Sequence, residues 1–505
     1  TTTTITNNNN NNNTFQNTTV STQLYSASSS GELTPSIEPV PLRVLFLSSD
    51  TGGGHRASAE ALAKQFQHLF PGSTYDLLDV WSLDGVYPYK TLVNSYKHLS
   101  AHPRQWRFFY HLSNTAPNSI IVNFHSNIMC ERRIRKRIAQ YDPDVIVSVH
   151  PTMNYVPRRA VRNLSRKYNK HIPFFTVVTD LGSGHNMWFH RTVDKLYVAS
   201  EKLRRLAKRR GWAPDSKIVM AGLPIRQDFA QQVELMGGQR TSPQGQLYTK
   251  QMKANLGLNT EKPMVLVMGG GEGVGSLSDI VDELYIKFRK QGVNATICVV
   301  CGRNEKLQNQ LSERNWEQVM LASSMKKNSR SQISFKRKGP ERSKEIQDAL
   351  DKSMKETGKG DKTGQVDVIG LGYVNKMAEF MVAADVLVTK AGPGTIAEAA
   401  AVGLPMMLTS YLPGQEAGNV EVVLDAGFGD YCQDAAQIAQ EVTVWLKDPK
   451  LMETMSANTA KVGSPHAAAE IVSDIGRTTQ AWMEVNLEGT RGQRMSTIGS
   501  GDSSL

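Results

Sequence analysis

Two stretches of sequence decide the fold: VLFLSSDTGGGHRASAEAL at residues 44–62 and DVLVTKAGPGTIAEAAA at residues 385–401. Each runs from a short apolar segment through a glycine-containing turn into a segment rich in alanine and glutamate. This order is typical of a strand, a tight turn and a helix, in which backbone N–H groups and a helix N-terminus can face an anion. The pair predicts two α/β domains that face one cleft, and an enzyme that uses a phosphorylated donor.

The rest of the chain alternates in the same way. In the first half we predict strands at 43–48, 74–79, 145–149, 174–179, 195–198 and 217–221, with helices at 57–70, 128–140, 155–168 and 201–211. A second series begins at residue 264 and continues with strands at 297–301, 366–369, 386–389 and 406–408. Strands that alternate with helices imply a mostly parallel sheet covered on both faces, so the fold class is α/β.

Composition limits the class of protein. The chain has 505 residues, 40% hydrophobic and 21% charged, which is typical of a globular protein of two or three domains. No apolar run approaches the ~20 residues that a membrane-spanning helix needs, so any attachment to a membrane is expected to be peripheral. The net charge of +11 favours anionic partners, either nucleic acid or acidic lipid headgroups. The basic runs at 132–137 and 202–210 carry much of this excess, with solvated helix faces as the alternative.

The four cysteines do not have the spacing of a zinc site. Cys298 and Cys301 end a predicted buried strand, and no second pair is available to complete a metal site. We therefore expect core cysteines in a reducing compartment and no metal, with a redox-active pair at Cys298 and Cys301 as the alternative.

We divide the chain by composition. Residues 1–41 are rich in Thr, Asn and Ser and are predicted to be disordered; a segment rich in Ser and Thr and poor in acids is also typical of organellar transit peptides, although it lacks arginine. The predicted domains are 42–224 and 263–480, joined by a connection at 225–262. A basic polar insertion at about 320–364 and the tail at 481–505 are expected to be flexible.

His55 is the candidate catalytic residue. It follows three glycines, which lack a Cβ and so admit positive φ angles and close approach of a ligand. An imidazole with an ordinary pKa of about 6.5 accepts a proton near neutral pH, which suits a general base in the mouth of a cleft. A histidine that caps its own helix is the alternative.

The second half carries three candidate donor-binding segments. The glycine-rich turn at 269–273 suits a diphosphate but has neither the P-loop nor the dinucleotide-binding spacing. In the turn KAGPGTIAE at 390–398, amides and Thr395 face a phosphate, and Glu398 can accept both hydroxyls of a ribose; stabilisation of the helix N-terminus is the alternative for Glu398. The loop PGQEAGN at 413–419 pairs amide and carboxylate groups suited to sugar hydroxyls, or else caps the next helix.

These motifs together resemble the monogalactosyldiacylglycerol synthases of glycosyltransferase family 28, which are related to the bacterial glycosyltransferase that makes lipid II. The matching blocks lie at 49–58, 222–226, 268–273, 389–398 and 413–419, within a resemblance that spans about residues 43–475. The glycine-histidine block and the 390–398 block are the most specific parts. The insertion before Gly364 is longer than we expect for plant members.

The resemblance implies two Rossmann-like domains that face a cleft, the GT-B arrangement. It implies transfer of galactose from UDP-galactose to the free sn-3 hydroxyl of diacylglycerol, with inversion to a β-linkage and without a metal. It also implies a peripheral protein of the plastid envelope. Three properties stay open: which of the envelope membranes it binds, which acyl chains it prefers, and whether it is a monomer or a homodimer.

The resemblance also implies roles for individual residues. His55 corresponds to the general base, and Asp180, His185 and Trp188 match a segment near the acceptor side. The candidate donor-binding residues are Gly53, Gly54, Pro224, Arg226, Gly270, Gly271, Arg303, Tyr373, Lys390, Gly392, Pro393, Gly394, Thr395, Glu398, Gly414, Gln415, Glu416 and Asn419. UDP is expected to leave towards the 392–395 turn, where Arg303 and Lys390 are the candidate cations.

A lipid acceptor requires contact with a membrane. Residues 86–124 mix aromatic side chains with Lys and Arg, which suits an interface with anionic lipids. The aromatic residues are Tyr87, Tyr89, Tyr96, Trp106, Phe108, Phe109 and Tyr110. A helical hairpin of the core is the alternative.

Two other functions are weighed against this one. A related lipid glycosyltransferase could use UDP-glucose or UDP-N-acetylglucosamine, and the sequence near Gln415 and Glu416 does not decide the sugar. A basic Rossmann-like nucleic-acid-binding module would leave both glycine turns without a purpose, so we expect no nucleic acid partner.

Overall fold

The structure is a computed structural model that describes residues 38–49, 53–269, 277–330 and 363–499. Predictions that concern residues 1–37, the turn 50–52, Gly270 and Gly271, the insertion at 331–362 and residues 500–505 lie outside the described residues. In the described segments, every helix is too short or too polar to cross a lipid bilayer.

The first half of the chain forms a parallel sheet of six strands in the order β2-β1-β3-β4-β5-β6. The strands are β1 Arg43–Leu47, β2 Thr74–Leu78, β3 Val145–Ser148, β4 Phe174–Val177, β5 Leu196–Val198 and β6 Ile218–Met220. The helices are α1 Gly53–Leu69, α2 Val80–Asp84, α3 Leu92–Ser100, α4 Pro103–Ser113, α5 Ala116–Tyr141, α6 Val156–Tyr168 and α7 Glu201–Gly211. Short 3-10 helices lie at Tyr89–Thr91, Pro151–Met153, Asn186–Trp188 and Asp215–Lys217.

The second half forms another parallel sheet, in the order β12-β11-β10-β7-β8-β9. Its strands are β7 Met264–Met268, β8 Ala295–Val300, β9 Val366–Leu371, β10 Val386–Thr389, β11 Met406–Leu408 and β12 Gly429–Tyr431. The helices are α8 Gln227–Leu235, α9 Pro243–Asn255, α10 Leu277–Lys290, α11 Glu305–Ser312, α12 Trp316–Arg330, α13 Met377–Ala383, α14 Pro393–Ala401, α15 Ala417–Asp425, α16 Ala435–Lys447, α17 Pro449–Val462 and α18 Ala467–Gly499.

The predicted strands are confirmed. Both sheets are parallel and covered on each face, as predicted. The central strands β1, β3, β7 and β10 are accordingly almost continuous apolar runs, buried along nearly their whole length. Several elements differ from prediction. The edge strand β12 has only three residues and was not predicted, and the connection at 225–262 contains the helices α8 and α9. Helix α5 begins at Ala116 instead of residue 128, and α12 extends through 320–330, the first part of the insertion that was expected to be flexible.

The last helix returns from the second half of the chain to the first. Ile471, Val472 and Ile475 of α18 are buried in the same hydrophobic core as Phe46 of β1 and Phe66 of α1. Asp474 of the same helix accepts a hydrogen bond from the Tyr197 hydroxyl of β5 at 2.7 Å. The helix continues through 481–499, which is part of the tail that was expected to be flexible. The domain limits 42–224 and 263–480 stay predictions.

The parallel topology determines where a site can form. In each sheet the carboxyl ends of neighbouring strands meet at one edge, which is where ligands bind in open α/β folds. The loops after β1, β3 and β4 meet at this edge of the first sheet, as do the loops after β7, β10 and β11 in the second.

Candidate active site

His55 lies in a buried pocket at the carboxyl edge of the first sheet. It is the third residue of α1, only 7% exposed, and its Nδ1 lies 2.5 Å from the hydroxyl of Thr179, which follows β4. The ring of His150, which follows β3, meets the His55 ring edge-to-face at 4.8 Å, and Trp188 lies 5.9 Å away. Three neighbouring strands therefore contribute to one pocket around the imidazole.

Burial controls the charge of this pocket. It lowers the pKa of His55 from 6.5 to about 4, because the buried imidazole loses the solvation of its charged form. The pKa of His150 is lowered well below its usual value, first by burial and then by His55 and His185. Both rings are therefore neutral at physiological pH and His55 can accept a proton.

The acceptor-side candidates cluster beside this pocket. Trp188 is fully buried and donates its indole N–H to Asp180 at 2.6 Å. Burial raises the pKa of Asp180 from 3.8 to about 7; the Trp188 hydrogen bond opposes this shift, and Glu416 adds to it. His185 lies nearby, with its Nε2 3.2 Å from the Ser113 hydroxyl, and burial lowers its pKa to about 4.

The glycines before His55 differ from prediction in one respect. Gly53 and Gly54 are the first residues of α1, neither has a positive φ, and a Cβ at either would meet no atom within 4 Å. Their lack of a side chain is therefore not required by the packing of the described protein, and it leaves open space at the N-terminus of α1.

In the second half, the turn before α14 lies at the carboxyl end of β10. Gly392 is the N-cap of α14, followed by Pro393, Gly394 and Thr395, so backbone amides instead of a capping side chain lie at the helix start. The Lys390 side chain folds back over this turn and its Nζ pairs with Glu416 Oε1 at 2.8 Å. The other Glu416 oxygen accepts the Leu412 N–H at 2.8 Å.

A second ion pair lies further along α14. Arg226, just after β6, donates to Glu398 at 2.8 Å, and the Glu398 side chain is only 14% exposed. Burial raises the pKa of Glu398, and Arg226 opposes that shift. Tyr373 is exposed and lies near Arg226. Arg303 is exposed after β8, and in the described segments no hydrogen bond or ion pair joins it to this cluster.

The two halves of the site touch each other. Helix α1, which carries His55, lies against α14, which carries Glu398. The backbones of Gly182 and Gly418 pack so closely that a Cβ on Gly182 would collide with the Gly418 carbonyl. The buried Asn419 bridges this contact, because its Oδ1 accepts the Gly182 N–H at 2.8 Å and its Nδ2 donates to the Ala391 carbonyl at 2.9 Å.

The loop at 413–416 faces the aromatic segment of the first half. Gly414 has a φ of +84°, and a Cβ there would lie 2.6 Å from the Tyr110 ring. The Tyr96 hydroxyl donates to Gln415 Oε1 at 3.5 Å. Pro224 is buried, and its carbonyl accepts the hydroxyl of Ser58 on α1 at 3.2 Å. These contacts bring the predicted acceptor-side residues and most of the predicted donor-binding residues together where the lobes touch. In the described part of the chain no hydrogen bond or ion pair joins Arg303 to them, and Gly270 and Gly271 lie outside the described residues.

Sequence reasoning missed His150 and gave no role to Thr179, and it assigned Tyr110 to the membrane interface instead of to a contact with the loop at 413–416. His150 comes directly after the predicted strand at 145–149, and β3 is the neighbour of β1 in the sheet. A search for polar residues at the carboxyl ends of predicted strands would have found it. No such rule leads to Tyr110, because its position depends on how the two halves pack.

No cluster of three metal-ligating side chains is found among the residues that the structure describes. The four cysteines are free thiols, and Cys298 and Cys301 are buried as predicted.

The fold and the site define a glycosyltransferase of the GT-B class, with two Rossmann-like lobes that meet at a shared edge. The crystal structure of MurG from Acinetobacter baumannii has the same fold, with a TM-score of 0.50 at 15% identity over 86% of this chain and 100% of that one. Residues 338–471 match the model of the glycosyltransferase family 28 C-terminal domain.

The chain belongs to the monogalactosyldiacylglycerol synthase family. Residues 55–225 match the model of monogalactosyldiacylglycerol (MGDG) synthase. Monogalactosyldiacylglycerol synthase 1, chloroplastic, of Arabidopsis thaliana is 34% identical over 86% of this chain and 70% of its own length. The chloroplastic enzyme of Spinacia oleracea is 35% identical over 87% of this chain and 73% of its own length.

Proposed function

We propose that this protein transfers galactose from UDP-galactose to the sn-3 hydroxyl of 1,2-diacylglycerol, with inversion, to give monogalactosyldiacylglycerol. Membership of the family supports the reaction. The observation in the fold that supports it most directly is that α1, with a buried histidine of lowered pKa, lies against α14, which begins at the turn with Gly392 and Gly394.

The reaction is a single in-line displacement. The diacylglycerol oxygen forms a bond with the anomeric carbon of galactose while its proton passes to His55. The bond from that carbon to the β-phosphate oxygen breaks, and UDP leaves with the electron pair. A base with a pKa of about 4 takes the proton as the new C–O bond makes the hydroxyl acidic.

Groups of the second lobe are suited to the leaving nucleotide. Backbone amides at the start of α14 and the Nζ of Lys390 can stabilise the charge that develops on UDP. Lys390 is already paired with Glu416, so binding of the diphosphate exchanges one anionic partner for another. Glu398 and the amide of Gln415 provide acceptors and donors for ribose and sugar hydroxyls.

The proposal includes that the reaction needs no bound metal. The amides and cations at the α14 turn can carry out the charge stabilisation that a divalent ion supplies in other transferases. Activity that persists after dialysis against EDTA supports this part, and activity restored only by added Mg²⁺ or Mn²⁺ contradicts it.

The decisive test of the function is analysis of the product. Radiolabelled UDP-galactose and diacylglycerol in anionic vesicles should give a labelled lipid that migrates with monogalactosyldiacylglycerol on thin-layer plates. UDP-glucose and UDP-N-acetylglucosamine serve as matched donors. A labelled lipid from either of these, with none from UDP-galactose, would replace the proposed donor.

The surface of α4 and α5 is the proposed membrane contact. Arg104, Arg107 and His111 line an open groove together with Phe108 and Leu112. The exposed large apolar side chains nearby are Phe108, Phe109, Leu112, Ile120, Ile121, Phe124, Ile128 and Met129. Apolar groups next to arginines suit peripheral binding to an anionic bilayer, whereas Tyr89, Trp106 and Tyr110 of the same segment are buried and belong to the core.

Vesicle binding tests this contact. Binding should strengthen with the fraction of anionic lipid and weaken as salt rises, because exposed charges are screened. Salt-insensitive binding to neutral vesicles would contradict it.

We further propose a peripheral location at the plastid envelope, supported by the word chloroplastic in the names of the relatives. Light scattering of the purified protein distinguishes a monomer from a homodimer.

A further inference from the structure

The hydrogen bonds of His55 continue one residue further into the core. Thr179 Oγ1 lies 2.5 Å from His55 Nδ1, and the same hydroxyl donates to the backbone carbonyl of Val149 at 3.1 Å. All three groups are buried, and Thr179 is 3% exposed. The imidazole, the hydroxyl and the carbonyl therefore form a short chain closed to solvent.

Only one tautomer of the histidine makes both contacts of the Thr179 hydroxyl hydrogen bonds. A hydroxyl has one hydrogen and a carbonyl can only accept, so both contacts are hydrogen bonds only when that hydrogen is donated to Val149. Towards His55 the hydroxyl can then offer only a lone pair, which requires the hydrogen to be on Nδ1 of the neutral ring. The other nitrogen, Nε2, is left with an unprotonated lone pair.

We infer that Thr179 is a positioning residue that holds His55 in the Nδ1–H tautomer and so presents Nε2 to the acceptor hydroxyl. This inference rests on the proposed function, in which His55 is the base. The proton of the acceptor then moves to Nε2, while Nδ1 keeps its own hydrogen and its bond to Thr179.

Thr179 is uncharged, so it stabilises the imidazolium form of His55 less than a carboxylate partner would. The next residue, Asp180, is directed at the Trp188 indole instead of at His55. The imidazolium formed during transfer is therefore stabilised by a hydroxyl and a carbonyl dipole, without a charged partner bonded to Nδ1. The arrangement orients the base but leaves its charged form short-lived, which favours rapid release of the proton once UDP has left.

The experiment compares Thr179→Val with Thr179→Ser and Thr176→Val. Valine keeps the shape of threonine and removes the hydroxyl. We expect kcat to fall about tenfold or more, the size associated with losing one orienting hydrogen bond, at an unchanged KM for UDP-galactose. Serine should restore kcat. Thr176→Val is the matched control, since Thr176 is a buried β4 hydroxyl that bonds Asn154 instead of His55.

A spectroscopic measurement makes the inference independent of turnover. In protein labelled with ¹⁵N-histidine, the signal missing from His55→Ala identifies His55, and it should show a protonated Nδ1 and an unprotonated Nε2. Thr179→Val should shift this signal towards the other tautomer, and Thr176→Val should not. A wild-type His55 protonated at Nε2, or a Thr179→Val enzyme with normal kcat, would overturn the inference. Normal turnover by His55→Ala would instead refute the base in the proposed function.

Discussion

The two lobes prepare their halves of the site in opposite electrostatic ways. In the first lobe burial disfavours the charged forms of titratable groups: the pKa of His55 falls to about 4 and that of Asp180 rises to about 7. In the second lobe acidic and basic side chains form ion pairs, as Lys390 with Glu416 and Arg226 with Glu398. The contrast fits the two substrates of the proposed reaction. A neutral lipid hydroxyl needs an uncharged base, whereas an anionic nucleotide needs cations that can change partners.

The largest expected effect comes from the neutral pocket. His55→Ala should lower kcat by ~10²-fold or more, the range for loss of a general base. Turnover in anionic vesicles measures this loss. The thermal stabilisation of the variant by UDP should stay close to normal, because the proposed nucleotide site lies mainly in the other lobe. Near-normal turnover of a folded His55→Ala protein would show that the pocket of the first lobe does not supply the base.

Asp180 should make stability depend on pH. Between pH ~4 and ~7 the folded protein holds a proton on Asp180 that the unfolded chain has released, because the folded pKa is about 7 and the ordinary value is 3.8. The stabilisation is therefore present below pH ~4 and is lost as the pH rises through ~7. Relative to Asp180→Asn, which does not titrate, the wild type should lose ~2–4 kcal/mol of unfolding free energy over this interval.

Denaturant unfolding of both proteins at several pH values measures the difference. Comparison with the Asn variant isolates Asp180, since the buried histidines act in the opposite direction in both proteins. A difference in unfolding free energy that is constant between pH 4 and 8 would show that Asp180 is charged in the fold.

On the donor side, Glu398→Gln should act on binding. Loss of the proposed charge-assisted contact between Glu398 and the ribose should raise the KM for UDP-galactose by about tenfold, with a smaller change in kcat. Steady-state kinetics with varied donor measures this. Glu421→Gln is the matched control, because Glu421 is an exposed carboxylate of the same lobe that pairs with Lys202. An unchanged KM in Glu398→Gln would leave Glu398 with a structural role alone, as partner of Arg226.

The smallest effect is expected at the exposed contact between the lobes. Lys202 pairs with Glu421 across the interface, but the two side chains are 40% and 61% exposed. Exposed ion pairs contribute little, so Lys202→Ala should change the unfolding free energy by less than ~1 kcal/mol. Gly182→Ala in the same interface should be more destabilising, because its Cβ meets the Gly418 backbone. Equal melting temperatures for these two variants would show that the lobes do not depend on the glycine contact.

Much of the fold follows from the sequence because buried parallel strands are apolar along their whole length. The runs at β1, β3 and β10 therefore stand out without any knowledge of the fold. The strand β12 does not, because its three residues Gly-Asp-Tyr form an edge whose backbone pairing with β11 decides the structure.

The site is predictable to a lesser degree. Glycine turns and the carboxyl ends of strands locate His55 and Lys390, since these depend on local order along the chain. The partners of those residues depend on contacts between the lobes. Glu398 is a reasonable ribose acceptor from its place in α14, but its bond to Arg226, 172 residues away in sequence, could not be derived from that place. The same holds for Thr179 and His55, 124 residues apart.

The path of the final helix limits how this enzyme can be divided. Because α18 leaves the second lobe and fills the core beneath β1, the first lobe is finished only after residue 475 has left the ribosome. A gene fragment that ends at the lobe boundary would expose the apolar surface that Ile471 and Val472 normally cover, and it should aggregate. Two-piece versions of the enzyme would have to carry α18 on the same piece as β1.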